Sequence, residues 1–251
     1  MKKTHFILLF ILLTLFSCRT EDNFTLNTVD PTDEVDENDD DDNEEMGQSV
    51  RILSLGNSYT IGTGVCPTCS YPEQLKDSLV LQLNSAALTI DLDVIATAGW
   101  TTTSLLNAIN AINPPTNFDL STLLIGVNNQ FQGLPFSIFE TEFVQLVEIA
   151  IAKAGNDPSN LIVLSIPDYA YTPFGQSFGN PETTSEEIDL YNAYIENYCM
   201  ENNITFLNVT DISREGIENP EIVAGDGLHL SELAYSIITQ RLVPLALEKI
   251  N

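Results

Sequence analysis

Two short motifs carry side chains that can do chemistry together. Gly56-Asn57-Ser58 puts a hydroxyl directly after the apolar run Ile52-Leu53-Ser54-Leu55, and Asp226-Gly227-Leu228-His229 puts a carboxylate three residues before an imidazole. A serine hydroxyl is a weak nucleophile until a base takes its proton. A neutral imidazole suits that task near neutral pH, and a carboxylate on its other nitrogen fixes the tautomer. Asp226 is near enough in sequence to reach Nδ1 of His229 if both lie on one turn. Acyl transfer also needs donors for an oxyanion, each worth about 10² to 10³ in rate. Glycine lets a backbone N–H approach closely, and asparagine offers an NH₂ group. Ala98-Gly99-Trp100 and Gly126-Val127-Asn128-Asn129 supply one of each. Taken singly, every motif has a plain structural reading. Ser58 is as readily a helix N-cap, Gly99 and Asp226-Gly227 are turn residues, Asn128-Asn129 is a loop pair, and His229 is a surface residue or cap.

The elements that must position these residues follow from periodicity. Short apolar runs at Val50–Leu55, Leu92–Ala96, Leu120–Ile125, Leu161–Ile166 and Thr205–Val209 read as strands. Between and after them, helical periods cover Tyr71–Leu83, Thr102–Ile112, Ile138–Ala154, Ser185–Glu201 and Ser231–Ile250, the last with Pro244 expected to kink or break it. Strands alternating with helices predict an α/β fold: a three-layer α/β/α, flavodoxin-like arrangement around a five-stranded parallel sheet of order 2-1-3-4-5. In such a sheet ligands bind at the carboxyl ends of the strands. Ser58, Gly99 and Asn128 each follow a strand there, and Asp226 and His229 lie past the fifth strand and before the last helix. The conjunction favours chemistry over the separate structural readings.

These blocks, in this order, resemble the SGNH hydrolases, also called GDSL lipases and esterases, from about Val50 to the C-terminus. The resemblance implies that Ser58 is the nucleophile, with Asp226 and His229 completing a catalytic triad. It implies oxyanion donors at the Ser58 N–H, the Gly99 N–H and the Asn128 side chain, and ester hydrolysis without metal or cofactor. Two positions depart from the family pattern. Asn57 and Asn129 stand where Asp is usual; both are supporting positions, and Asn57 is expected to keep a structural hydrogen bond. The reading this gives is a serine esterase cleaving acyl or acetyl esters through an acyl-enzyme, with a glycan acetate as the preferred substrate class. Trp100 and Tyr59 are candidate flat surfaces for a sugar ring, and equally candidate packing residues. A lipase or lysophospholipase of the same fold is an alternative, though no long apolar lid is evident. So is a weakly catalytic surface binding module, though it would be expected to lose Ser58, Asp226 or His229.

Composition and targeting signals bound the setting. Of 36 acidic residues, 13 lie between Glu21 and Glu45, and Met46–Asn251 still carries 23 acidic against 6 basic side chains. Such a surface repels phosphate backbones, so nucleic-acid partners are excluded. No Gly-rich phosphate loop follows a strand. Residues 1–18, with Lys2, Lys3, the run from Phe6 to Phe16 and Leu15-Phe16-Ser17-Cys18, resemble a lipoprotein signal and lipobox with Cys18 as the lipid attachment site. Residues 19–48 read as a disordered acidic tether, and 49–251 as the hydrolase domain. The expected location is extracytoplasmic, lipid-anchored to a bacterial membrane. Cys66-Pro-Thr-Cys69 lacks the further Cys or His ligands of a zinc site and is expected to form a structural disulfide in that oxidising setting; a redox pair is the alternative. Cys199 is expected to be buried and free.

Overall fold

The computed structural model describes residues 49–83 and 89–250, all within one unit, Glu45–Asn251. The expected signal segment, the acidic tether and Cys18 lie outside the described residues. The strands are β1 (Ser49–Gly56), β2 (Thr89–Ala96), β3 (Leu120–Leu124), β4 (Leu161–Leu164) and β5 (Thr205–Leu207). All pair in parallel, in the order β2-β1-β3-β4-β5 that the sequence predicts. The helices are α1 (Ser58–Ile61), α2 (Tyr71–Leu83), α3 (Thr102–Ile112), α4 (Val127–Phe131), α5 (Phe136–Lys153), α6 (Pro173–Ser177), α7 (Pro181–Glu201), α8 (Thr210–Ser213) and α9 (Glu232–Ile250).

Burial explains the sheet. Every residue of β3 and β4 is buried, as are six of the eight in β1. Continuous apolar strands of this kind need cover on both faces, and each buried Leu or Ile contributes about 1.5–3 kcal/mol. α2 packs against α9, and α3 against α5. Right-handed crossovers in this strand order put those two pairs on opposite faces. β2 is one of the two edge strands and starts three residues before the expected Leu92. Its acidic Asp91 and Asp93 hide the strand in the sequence, but β1 claims the whole length, from Ser49↔Thr89 to Gly56↔Ala96. There Asp93 pairs with Arg51 at 3.7 Å.

α5, α7 and α9 differ from the expected spans, α5 and α9 at their ends by one or two residues. α7 begins at Pro181 rather than Ser185, because Pro fits the first helical turn and the Asn180 side chain accepts the Glu182 N–H at 3.1 Å. α9 is not broken at Pro244. Pro244 and Gln240, whose carbonyl loses its helical partner there, both face solvent, where water can satisfy the freed carbonyl. No helix among the described residues is long and apolar enough to cross a membrane.

Candidate active site

The turn after β1 takes Ser58 out of the capping role. Asn57, not Ser58, caps α1: its Oδ1 accepts the Tyr59 N–H at 3.1 Å. Ser58 is the first helical residue, 5% exposed, and lines a cleft together with Asn128 and His229. Gly56 is required by close approach. A Cβ there would lie 2.5 Å from the Leu124 carbonyl, so any side chain would push β1 away from β3. Gly62 closes the single turn in the left-handed region at φ 79°. Asn57 is fully buried, and its Nδ2 has no hydrogen-bond partner among the described residues.

The loop before α9 positions Asp226 and His229. Its ends are drawn together by the antiparallel bridge Val223↔Leu230 and by the Ala224 N–H donating to the His229 carbonyl at 2.8 Å. Within it, Asp226 Oδ1 accepts the N–H groups of Leu228 at 2.9 Å and His229 at 3.0 Å, while Oδ2 meets His229 Nδ1 at 2.7 Å. Burial raises the Asp226 carboxyl. The hydrogen bonds from the His229 ring, the His229 N–H and the Leu228 N–H, with the charge of the protonated ring, outweigh it and hold the group below its ordinary value. The ring packs edge-on against Tyr59, centroids 5.5 Å apart. Among the described residues no hydrogen bond joins Ser58 Oγ to His229; that contact commonly tightens only when substrate is bound. The loop between α1 and α2 carries the Cys66–Cys69 disulfide and presses on Asp226: a Cβ on Gly64 would stand 3.0 Å from its Oδ2.

The remaining predicted residues come from the ends of β2 and β3. Gly126 caps α4 at φ 126°, where a Cβ would strike Phe139 at 2.6 Å, and this turn lifts Asn128 into the cleft. Asn128 Nδ2 donates to the Trp100 carbonyl at 2.9 Å, which orients the amide and leaves its second hydrogen free for another acceptor. Gly99 is left-handed at φ 83°. It does not itself line the cleft but is joined to it through Trp100, and its carbonyl accepts from Gln132 at 3.2 Å. Asn129 is fully buried behind it. Its Oδ1 accepts the Thr102 N–H at 3.0 Å, and its Nδ2 donates to Thr102 Oγ1 at 2.7 Å. Cys199 is buried and free, its thiol pushed up to about 12 by burial.

A family model, that of the GDSL-like Lipase/Acylhydrolase family, matches residues 54–237. The chain belongs to the GDSL-like lipase/acylhydrolase family. It is therefore a hydrolase of the esterase and lipase type. A search of curated proteins finds no match. Solved structures of similar fold include a psychrotrophic esterase from Pseudoalteromonas sp., with TM-score 0.57 and 16% identity over 79% of this chain and 97% of that one. A lipase from goat rumen metagenome gives 0.62 and 17% over 78% and 97%. An acetyl xylan esterase from Geobacillus stearothermophilus gives 0.58 and 16% over 80% and 96%. At these identities the likeness is one of fold.

Of the two readings offered for Tyr59 and Trp100, packing is the one their burial favours, and the site holds features not read from the sequence. Tyr59 is 3% exposed and serves as packing for the His229 ring, and Trp100 is half-buried against the core. The aromatic residues that line the cleft are Tyr59, Phe131 and Tyr169; of these Phe131 alone is well exposed, and it is backed by Phe174 and Phe178. A buried ion pair was also missed. Asp168, fully buried, accepts from Arg214 Nε at 3.0 Å and holds the segment that carries Tyr169. Among the described residues no group of three or more His, Cys, Asp or Glu side chains is arranged to hold a metal ion.

Proposed function

We propose that this family member is a serine esterase that cleaves short-chain carboxylic esters through an acyl-enzyme. The observation that carries the reading is the 2.7 Å contact between Asp226 Oδ2 and His229 Nδ1, in a cleft that the ring shares with the free hydroxyl of Ser58. With Nδ1 held by the carboxylate, Nε2 is the nitrogen left to serve as base. Ser58 Oγ attacks the ester carbonyl carbon, and its proton passes to Nε2. The carbonyl oxygen becomes an oxyanion, stabilised by the Ser58 N–H, the Gly99 N–H and the second hydrogen of Asn128 Nδ2. The intermediate collapses, the C–O bond to the alcohol breaks, and His229 gives the proton to the departing oxygen. Water then repeats the sequence on the acyl-serine, releasing the acid and restoring the hydroxyl.

The space beside Ser58 and His229 is small, about 70 Å³, and it opens to solvent. Acetyl and similarly short groups fit that space, and the acetyl xylan esterase among the fold neighbours carries such an activity in its name. Glycan acetates and simple alkyl or aryl acetates both present an acetyl group.

Turnover of p-nitrophenyl acetate tests the reading. The purified domain should hydrolyse it, and Ser58→Ala should lose about 10³-fold or more in kcat. Absence of turnover in the wild type, or equal turnover in the variant, would remove the serine mechanism.

A further inference from the structure

Phe131, Phe174 and Phe178 form an aromatic shelf outside the cleft. Phe131 lies three residues after Asn128 and lines the cleft with Ser58 and His229. Its ring stacks on Phe178 with centroids 5.4 Å apart, and Phe178 stacks on Phe174 at 5.2 Å. Rings this apolar usually face inward, yet Phe131 is 41% and Phe178 50% exposed. Folding leaves two large rings in water next to the cleft of Ser58 and His229. Exposed apolar surface joined to a site is the mark of a ligand contact.

We propose that this shelf binds the alcohol half of the ester, and that the half it selects is apolar and ring-bearing. The position assigns the side. The Phe174 N–H donates to the Gly227 carbonyl at 2.9 Å, inside the Asp226–His229 turn. The shelf is thus built onto the loop that carries the base. His229 hands its proton to the departing alcohol, so the alcohol leaves on that side. The chemistry of the surround assigns the class. The Tyr169 hydroxyl donates to Gln130 Oε1 at 2.9 Å, Gln130 Nε2 donates to Glu187 at 2.7 Å, and Gln132 Nε2 donates to the Gly99 carbonyl at 3.2 Å. Polar groups bordering the rings are thus engaged with protein partners, whereas a polyhydroxylated sugar needs free ones. Ring faces and edges remain, which suit aryl and alkyl carbon. The acidic surface disfavours anionic alcohols.

This inference rests on the esterase reading for the choice of alcohol over acyl side, and the experiment separates the two. The kcat/KM for 2-phenylethyl acetate is divided by that for ethyl acetate, two esters with similar leaving groups. The ratio should exceed one in the wild type and fall roughly three- to tenfold in Phe131→Ala and Phe178→Ala, mainly through KM. An unchanged ratio overturns the proposal. So does a larger fall in an acyl series, ethyl octanoate over ethyl acetate, or a preference for acetylated xylan over 2-phenylethyl acetate that the same variants abolish. If the wild type hydrolyses no ester, the esterase reading fails separately, and binding of 2-naphthol followed by its fluorescence still decides the shelf. Saturable binding weakened three- to tenfold in Phe178→Ala supports it, and no binding by the wild type overturns it.

Discussion

At the scale of single residues, the two asparagines that replace the family's usual aspartates play different parts. Asn57 keeps the capping bond to Tyr59 but leaves a buried Nδ2 without a partner among the described residues, an arrangement that costs about 1–3 kcal/mol. Asn129 has a partner for both its oxygen and its nitrogen. Because its Nδ2 donates to Thr102 Oγ1, the Thr102 hydroxyl is free to donate its own hydrogen to Glu142. An aspartate at 129 would compete with Glu142 for that one hydrogen. Asn129→Asp should therefore destabilise the fold by about 1–3 kcal/mol, read from urea unfolding. It should also lower kcat on p-nitrophenyl acetate, because the Thr102 N–H held by Asn129 anchors the loop that carries Gly99 and Trp100. Equal stability of the two forms would show that Thr102 is not shared in this way. The motif spelling in the sequence reveals the substitution; the donor direction becomes visible only once Thr102 and Glu142 stand beside it.

At the scale of elements, the long helices and buried strands are legible because each repeats one periodicity over many residues. α2 and α3 match the expected spans residue for residue. The one-turn helices α1, α4, α6 and α8 are not legible, because isolated single turns are unstable and form only where tertiary contacts hold them. One such support is the ion pair of Asp168 with Arg214, which joins the segment after β4 to the end of α8. Arg214 also reaches Asp189 on α7 at 2.6 Å. Removing the cation leaves the Asp168 carboxylate buried without its charge partner. Arg214→Ala should cost about 3 kcal/mol, the low end for such a loss because the arginine is about a third exposed. Thermal unfolding of the variant checks the figure; a shift too small to measure would show that the Ser185 hydroxyl and the Ala170 N–H, which also donate to Asp168, suffice for it.

At the scale of the whole molecule, acidic charge dominates, and the carboxylates with organised partners decide acid stability. Asp211 lies below its ordinary value chiefly because of its hydrogen bonds with Arg241, at 2.8 Å on both carboxylate oxygens, and Asp226 is lowered as described. For a group whose folded pKa is depressed, the native state binds fewer protons than the unfolded chain. The stability it contributes is complete above the unfolded value of about 3.9 and is lost as pH falls through the lower folded value. The unfolding midpoint should therefore drop between about pH 5 and pH 2, and Asp211→Asn should flatten that decline. A decline of the same steepness in the variant would assign acid lability to other groups.

The sequence by itself determined the sheet order and the principal helices, and its motifs set Ser58, Gly99, Asn128, Asp226 and His229 after the strands or before the last helix. Period and motif order are properties of the chain, and a parallel sheet converts order into proximity at one edge. Tertiary structure decided which asparagine caps α1, which nitrogen of His229 meets Asp226, and which aromatic rings face the cleft. Phe131, Phe174 and Phe178 look like core residues in one dimension. Whether a ring is buried depends on what packs over it, and here chain segments more than 40 residues apart bring the three together and leave two of them open to water.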